Sequence, residues 1–63
     1  MSVDLQIRIS SGNAAFGDGN AEYEVARILD TIKDRILQGQ TSGKCIDYNG
    51  NGVGDWSIEI IED

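Results

Sequence analysis

The sequence predicts a small α+β domain of order βαββ, in which one helix packs on one face of a three-stranded antiparallel sheet of order 1-3-2. The 63-residue chain has one stretch with apolar residues at helical spacing and three shorter stretches in which apolar and polar residues alternate. A chain of this length forms one domain, residues 1–63, and buries only about 60% of the surface of its unfolded form. No linker or internal repeat divides it.

The first predicted strand spans residues 3–9, where four aliphatic residues alternate with three polar ones. A period of two places the aliphatic side chains on one face of a sheet and the polar ones on the other. The segment 10–20 is rich in glycine and asparagine and predicts a connecting loop. Phe16 is its one large apolar residue, and we expect it to anchor the loop in the core.

Residues 21–38 predict the helix, because apolar residues recur there at i, i+3, i+4, i+7 and i+11. Asn20 is a good N-cap residue, and Gly39 suits the position just after a helix. We expect the apolar stripe to pack on the sheet. The opposite side of the helix, which includes Tyr23, should face water.

Residues 44–48 predict the second strand and residues 55–61 the third, and each has an apolar and a polar face. The third strand is the most apolar, so we place it in the centre of the sheet. Cys45 and Asp47 are expected on the face away from the helix, which nothing in the chain is left to cover. The expected core is Leu5, Ile7, Phe16, Val25, Ile28, Leu29, Ile32, Ile36, Ile46 and Trp56.

The segment 47–55, DYNGNGVGD, has two interpretations. It begins like a calcium loop, but Ile58 stands where that loop needs a bidentate glutamate. Its Asn-Gly pairs are typical of hairpin turns, and we prefer the hairpin to a calcium-binding module. Because the apolar faces of both strands must meet, the loop should be odd-numbered, over residues 49–53 or 49–55.

The chain carries eleven acidic and five basic residues, for a net charge of −6. Such a charge disfavours direct binding to nucleic acid or to anionic membranes and favours a basic protein partner. Histidine is absent and Cys45 is the one cysteine, which removes the common catalytic triads and zinc sites. We therefore expect no catalytic residues, no metal and no cofactor. Without a signal peptide or an apolar span, we expect a cytoplasmic protein.

Three stretches resemble small proteins encoded by bacteriophages and prophages: SGNAAF at 11–16, EVARIL at 24–29 and DYNGNGVG at 47–54. In size, charge and organisation the chain is similar to the type I class of anti-CRISPR inhibitors. This resemblance implies a non-enzymatic protein that binds a CRISPR effector complex inside a host bacterial cell. Some members of that class imitate duplex DNA.

Two functional hypotheses follow. In the first, carboxylates replace DNA phosphates in contact with a basic nucleic-acid-binding partner, and the protein acts as a monomer. In the second, it is a phage assembly module that self-associates through its uncovered sheet face or a strand edge, with a homodimer as the simplest product. The candidate partner-binding residues of the first hypothesis are Asp4, Glu22, Tyr23, Asp30, Asp34, Asp47 and Glu59.

Overall fold

A computed structural model describes residues 1–12, 16–17 and 19–62 of the chain. These residues contain four elements: β1 (Ser2–Ile9), α1 (Ala21–Leu37), β2 (Ser42–Ile46) and β3 (Gly52–Ile61). The strands form one antiparallel sheet in the order β1-β3-β2, which confirms the predicted α+β fold and the central third strand. The predicted loop over residues 10–20 falls partly outside the described residues.

The two ends of α1 are closed by backbone groups. Asn20 is the N-cap residue, as predicted, and its carbonyl accepts the first helical hydrogen bond at 2.9 Å, but its side chain makes no capping hydrogen bond. At the other end, the N–H groups of Gly39 and Gln40 donate to the carbonyls of Ile36 and Arg35, each at 3.0 Å. Gly39 has a φ of 90°, a backbone conformation open to glycine, and it ends the helix as predicted.

The core lies between α1 and the part of the sheet formed by β2 and β3. Its buried apolar residues are Ile28, Ile32, Cys45, Val53 and Trp56. Partly buried residues pack around them: Ile9, Phe16, Ile36 and Ile58. Ile28, Ile32 and Ile36 of the predicted helix stripe pack here, and the predicted core positions of Phe16 and Trp56 are confirmed.

Four residues of the expected core are exposed by a third or more: Leu5, Ile7, Leu29 and Ile46. Three of these belong to one feature. The helix packs over β2 and β3, so the apolar face of β1 and the neighbouring side of α1 are left uncovered. The expected core was therefore too wide, because one helix covers only part of a three-stranded sheet.

β2 begins two residues earlier than predicted and presents the opposite set of side chains to the helix. Cys45, expected to face solvent, is buried, whereas Ile46, expected in the core, is 44% exposed. A β-bulge causes this, because Cys45 pairs with Gly54 but Ile46 pairs with Gly52. One extra residue inverts the alternation of faces, so a prediction that assumed continuous pairing was wrong for this strand.

The β2–β3 connection is a tight hairpin, as preferred over the calcium loop. The N–H of Asp47 donates to the carbonyl of Asn51 at 2.9 Å, and the N–H of Gly50 donates to the carbonyl of Asp47 at 3.0 Å. Gly50 has a φ of 86°, which closes the turn. The loop has an odd number of residues, as predicted, but it spans only residues 48–50. The bulge then shifts the pairing of β2 with β3 by one residue.

Candidate functional site

An open apolar groove runs between β1 and α1, and we call it the β1–α1 groove. It has a volume of about 310 Å³. Its β1 side is 36–47% exposed, and Leu29 and Leu37 on its helix side are 43% and 79% exposed. Six of its lining residues are aliphatic and one is basic: Leu5, Ile7, Leu29, Ile32, Ile36, Leu37 and Lys33.

The apolar surface continues along the sheet beyond the groove. Val3 and Ile60 are directly opposite each other on β1 and β3, and both are more than half exposed. A contiguous apolar surface of this kind is typical of a binding interface.

The groove adjoins β1, which is an unprotected edge of the sheet. Edge strands are usually protected from further pairing by short length, bulges, proline or charged residues that point inward. β1 has eight residues without proline or glycine, and all of its helix-side residues are aliphatic. β2, the other edge, has only five residues, includes Gly43 and is interrupted by a bulge. β1 is therefore the edge better suited to pair with another strand.

The predicted acidic residues of α1 are partly neutralised by a lysine. Asp30 and Asp34 are exposed, and the ammonium group of Lys33 lies 2.9 Å and 3.6 Å from their carboxylates. The hydrogen bond to Asp30 and the charges of both acids raise the pKa of Lys33 above its ordinary value. The structure thus brings these two acids together as expected, but with a cation between them.

The predicted acids of the sheet behave differently. Asp4 and Glu59 are directly opposite on the face away from the helix, both exposed. The ion pairs found within the described residues involve neither of them. Like charges opposite each other on neighbouring strands repel. Further along the same face, Asp55 lies between Arg8 and Lys44, so the negative charge is concentrated at one end of the sheet.

The remaining predicted residues divide into exposed and buried ones. Glu22 and Tyr23 lie in the first turn of α1, and Tyr23 is 78% exposed, as predicted. Asp47, expected on the uncovered face, is only 3% exposed. The predicted partner-binding residues therefore do not form one surface.

Asp47 is buried because its carboxylate organises the hairpin. Its Oδ1 accepts hydrogen bonds from the backbone N–H groups of Asn49 and Asn51 at 2.9 Å and 2.8 Å, and its Oδ2 accepts one from the Asn51 side chain at 3.3 Å. Aspartate commonly stabilises turns in this way. The expectation that Asp47 lies on an uncovered face is therefore wrong, while its partner-binding role stays a prediction. No group of three or more His, Cys, Asp or Glu side chains that could hold a metal occurs among the described residues.

The sequence analysis missed a partly buried ion pair, between buried Glu24 and exposed Arg27, that joins the helix to the hairpin. Glu24 is 4% exposed, and its carboxylate accepts hydrogen bonds from the Arg27 guanidinium and from the backbone N–H of Tyr48 at 3.3 Å. Arg27 also donates to the carbonyl of Ile46 at 2.8 Å. The i, i+3 spacing of the two charges was visible in the sequence. The burial of Glu24 depends on the position of the hairpin, which the sequence did not show.

A second concave region, of about 290 Å³, lies between α1 and β2. Three of the five basic residues of the chain line it, namely Arg27, Arg35 and Lys44. Cys45 lies on the same side of the sheet. Burial, with a smaller effect from the charge of Asp55, raises the pKa of the Cys45 thiol. A buried, protonated thiol is a poor nucleophile, so this cysteine acts as a core residue.

None of the helices that the structure describes has the length and apolar character needed to cross a membrane. No protein-family model matches the chain, and comparisons with curated proteins and with solved structures find no significant similarity.

Proposed function

We propose that this protein is a non-enzymatic protein-interaction module that binds its partner through the β1–α1 groove and the open edge of β1. The exposure of aliphatic side chains on both sides of the groove carries this proposal. The sequence analysis expected contact through the sheet face away from the helix. We now place the main contact surface on the helix side of the sheet.

The energetics favour a partner that covers this groove. Fully burying a leucine-sized side chain contributes about 1.5–3 kcal/mol. A stable interface buries about 800 Å² of each partner, roughly a sixth of the 4570 Å² surface of this chain. The groove and the apolar strip beside it lie next to each other, so one flat partner surface can cover both.

A photo-reactive residue placed in the groove should capture the partner. We expect p-benzoylphenylalanine at position 29 to give a discrete cross-linked product in the cells that naturally produce the protein. The matched control is the same residue at position 23, because Leu29 and Tyr23 are both exposed on α1 and only Leu29 lines the groove. Gel electrophoresis and mass spectrometry would identify the products.

Absence of a discrete product from position 29 would contradict the proposal. Equal products from both positions would also contradict it, since they would show general surface contact. A product from position 23 alone would also contradict it, because Tyr23 lies outside the groove.

The second candidate is an inhibitor that binds a basic nucleic-acid-binding complex, such as a CRISPR effector, in the cytoplasm of a host bacterium. The specific observation in its favour is the pair of exposed carboxylates of Asp4 and Glu59 outside the ion pairs described above. Two carboxylates without a nearby cation can replace two phosphates at a basic surface. Asp30 and Asp34 suit this role less well because Lys33 lies between them.

This candidate predicts that Glu59→Lys weakens inhibition more than Asp34→Lys. Both variants change the net charge by the same amount, but only the first disrupts the uncompensated pair. We expect a loss of about tenfold for Glu59→Lys in competition with DNA for a purified type I effector complex. The difference should shrink as salt rises from about 50 mM to about 200 mM. If both variants inhibit as well as the parent, the acidic surface is not the inhibitory one.

A further inference from the structure

We propose that the partner covering the groove and the β1 edge is a second copy of this chain, paired β1 to β1 in antiparallel orientation about a two-fold axis at Gln6. This inference rests on the proposed function, because it names the partner of the same surface. The register places Gln6 opposite itself, Leu5 opposite Ile7, and Asp4 opposite Arg8 of the second copy. The two sheets then become one sheet of six strands.

The backbone of β1 is in the right phase for this pairing. The N–H of Ser10 donates to the carbonyl of Val53 at 2.9 Å, so this pair is hydrogen-bonded. Hydrogen-bonded and non-hydrogen-bonded pairs alternate along an antiparallel ladder. Residues 3, 5, 7 and 9 therefore occupy the non-hydrogen-bonded pairs with β3, and their N–H and C=O groups point toward the open edge. Pairing Leu5 with Ile7 of the second copy uses these free groups.

Charge selects one register among those that the backbone allows. Moving the axis to Leu5 would place Asp4 opposite Gln6, and moving it to Ile7 would place Asp4 opposite Ser10. The register centred on Gln6 pairs Asp4 with Arg8 twice, once on each side of the axis. It also pairs aliphatic with aliphatic residues on the helix side. β1 is thus complementary to itself in charge and in hydrophobicity.

The same register relieves the repulsion seen within one chain. Asp4 faces Glu59 on its β3 side. In the dimer, Arg8 of the second copy lies on its other side, and Arg8 itself lies between Asp55 and Asp4 of the second copy. Opposite charges on neighbouring strands attract, so Asp4 gains a cation that the ion pairs described within its own chain do not supply.

The two grooves would adjoin each other in this dimer. A two-fold axis between antiparallel strands is perpendicular to the sheet, so both helices lie on the same face. The exposed side chains of Leu5 and Ile7 from both copies then form a continuous strip at the axis. This strip is bordered by the groove residues of both helices, including Leu29. The apolar surface left open in one chain therefore becomes the centre of the dimer.

The first measurement is the mass of the 63-residue chain in solution. We expect sedimentation equilibrium to give twice 6.8 kDa, with dissociation on dilution. Salt of about 150 mM limits long-range repulsion between two chains of charge −6. A mass of 6.8 kDa at every concentration up to about 1 mM would overturn the inference. The proposed function would still stand if position 29 cross-links to a different protein.

The second measurement tests the register through charge reversal. Asp4→Arg should weaken dimerisation by about tenfold or more, because both Asp4–Arg8 contacts become contacts between cations. This variant should stay folded, since the new arginine faces Glu59 within its own chain. Arg8→Asp should also weaken the dimer. Mixing the two variants should restore a heterodimer, which native mass spectrometry would resolve.

The double variant Asp4→Arg/Arg8→Asp is the matched control. It keeps one favourable and one unfavourable charge pair with β3, as in the parent, and restores complementarity between copies. We expect it to dimerise about as tightly as the parent. If either single variant dimerises like the parent, or if the mixture and the double variant remain monomeric, the register is wrong.

Discussion

Replacing Gly54 with alanine is expected to lower the free energy of unfolding by about 3 kcal/mol, close to the upper end of the cost of overpacking. A Cβ atom at position 54 would lie 1.7 Å from the carbonyl oxygen of Arg8 and 3.0 Å from the Cα of Ile9. These are backbone atoms of β1, so a change of rotamer cannot relieve the clash. A chain of this length has a total stability of only about 3–9 kcal/mol, and the variant should be largely unfolded on warming.

Gly52→Ala provides the control for this prediction. It lies in the same strand, has no atom within 4 Å of its added Cβ and has no positive φ. Both substitutions restrict the unfolded chain equally, so the difference between them isolates the contact with β1. Urea unfolding followed by Trp56 fluorescence would measure both. Equal midpoints for the two variants would show that β1 does not approach β3 as closely as described.

Much of the fold could be predicted because its determinants are local. The period of the helix stripe, the alternation along β1 and the glycine after α1 depend on short stretches of sequence, and all three appear in the structure. The apolar character of β3 indicated its central position. These local patterns are enough to predict whether a segment is a helix or a strand and which of its sides is apolar.

The features that could not be predicted depend on how elements shift relative to one another. The bulge between Cys45 and Ile46 inverts the faces of β2. Gly52 and Gly54, which pair with these residues, are a weak sequence signal for a bulge but do not fix its position. The position of α1 over β2 and β3 decides that Leu5 and Leu29 are exposed. Alternation marked these residues as apolar, but it could not say whether the same chain covers them. The residues of the candidate interface were therefore recognised as apolar in the sequence, but they were assigned to the core.

The prediction of an acidic site from the sequence was limited by a different factor. A count of charges gives the net charge, but Lys33 and Arg27 show that local pairing decides where that charge is available. Asp4 links the two functional proposals. In the β1-paired dimer its carboxylate is opposed by a cation, and Glu59 remains as the nearest uncompensated acid. The inhibitor hypothesis therefore depends on Glu59 if the dimer forms, and on both carboxylates if it does not.

Replacing Asp47 with alanine is expected to lower the free energy of unfolding by about 2–3 kcal/mol, because two part-buried backbone hydrogen bonds lose their charged acceptor. The N–H groups of Asn49 and Asn51 both donate to Asp47 Oδ1 in a largely buried position. Asp47→Asn keeps an acceptor oxygen at Oδ1 and should cost about half as much, although the NH2 group that replaces Oδ2 cannot accept the hydrogen bond from the Asn51 side chain. Hydrogen exchange at Asn49 and Asn51 should accelerate in the alanine variant.

These two variants separate a turn-forming role from a surface role for Asp47. A residue that only supplied negative charge to a partner would leave stability and exchange unchanged in both variants. If Asp47 instead holds the hairpin, the stability order should be parent, asparagine variant, alanine variant. Equal losses in both variants would show that the charge, and not the Oδ1 acceptor, stabilises the hairpin. The hairpin also supplies the backbone N–H of Tyr48, which donates a hydrogen bond to the Glu24 carboxylate. Loosening of the hairpin should therefore weaken the contact between α1 and Tyr48.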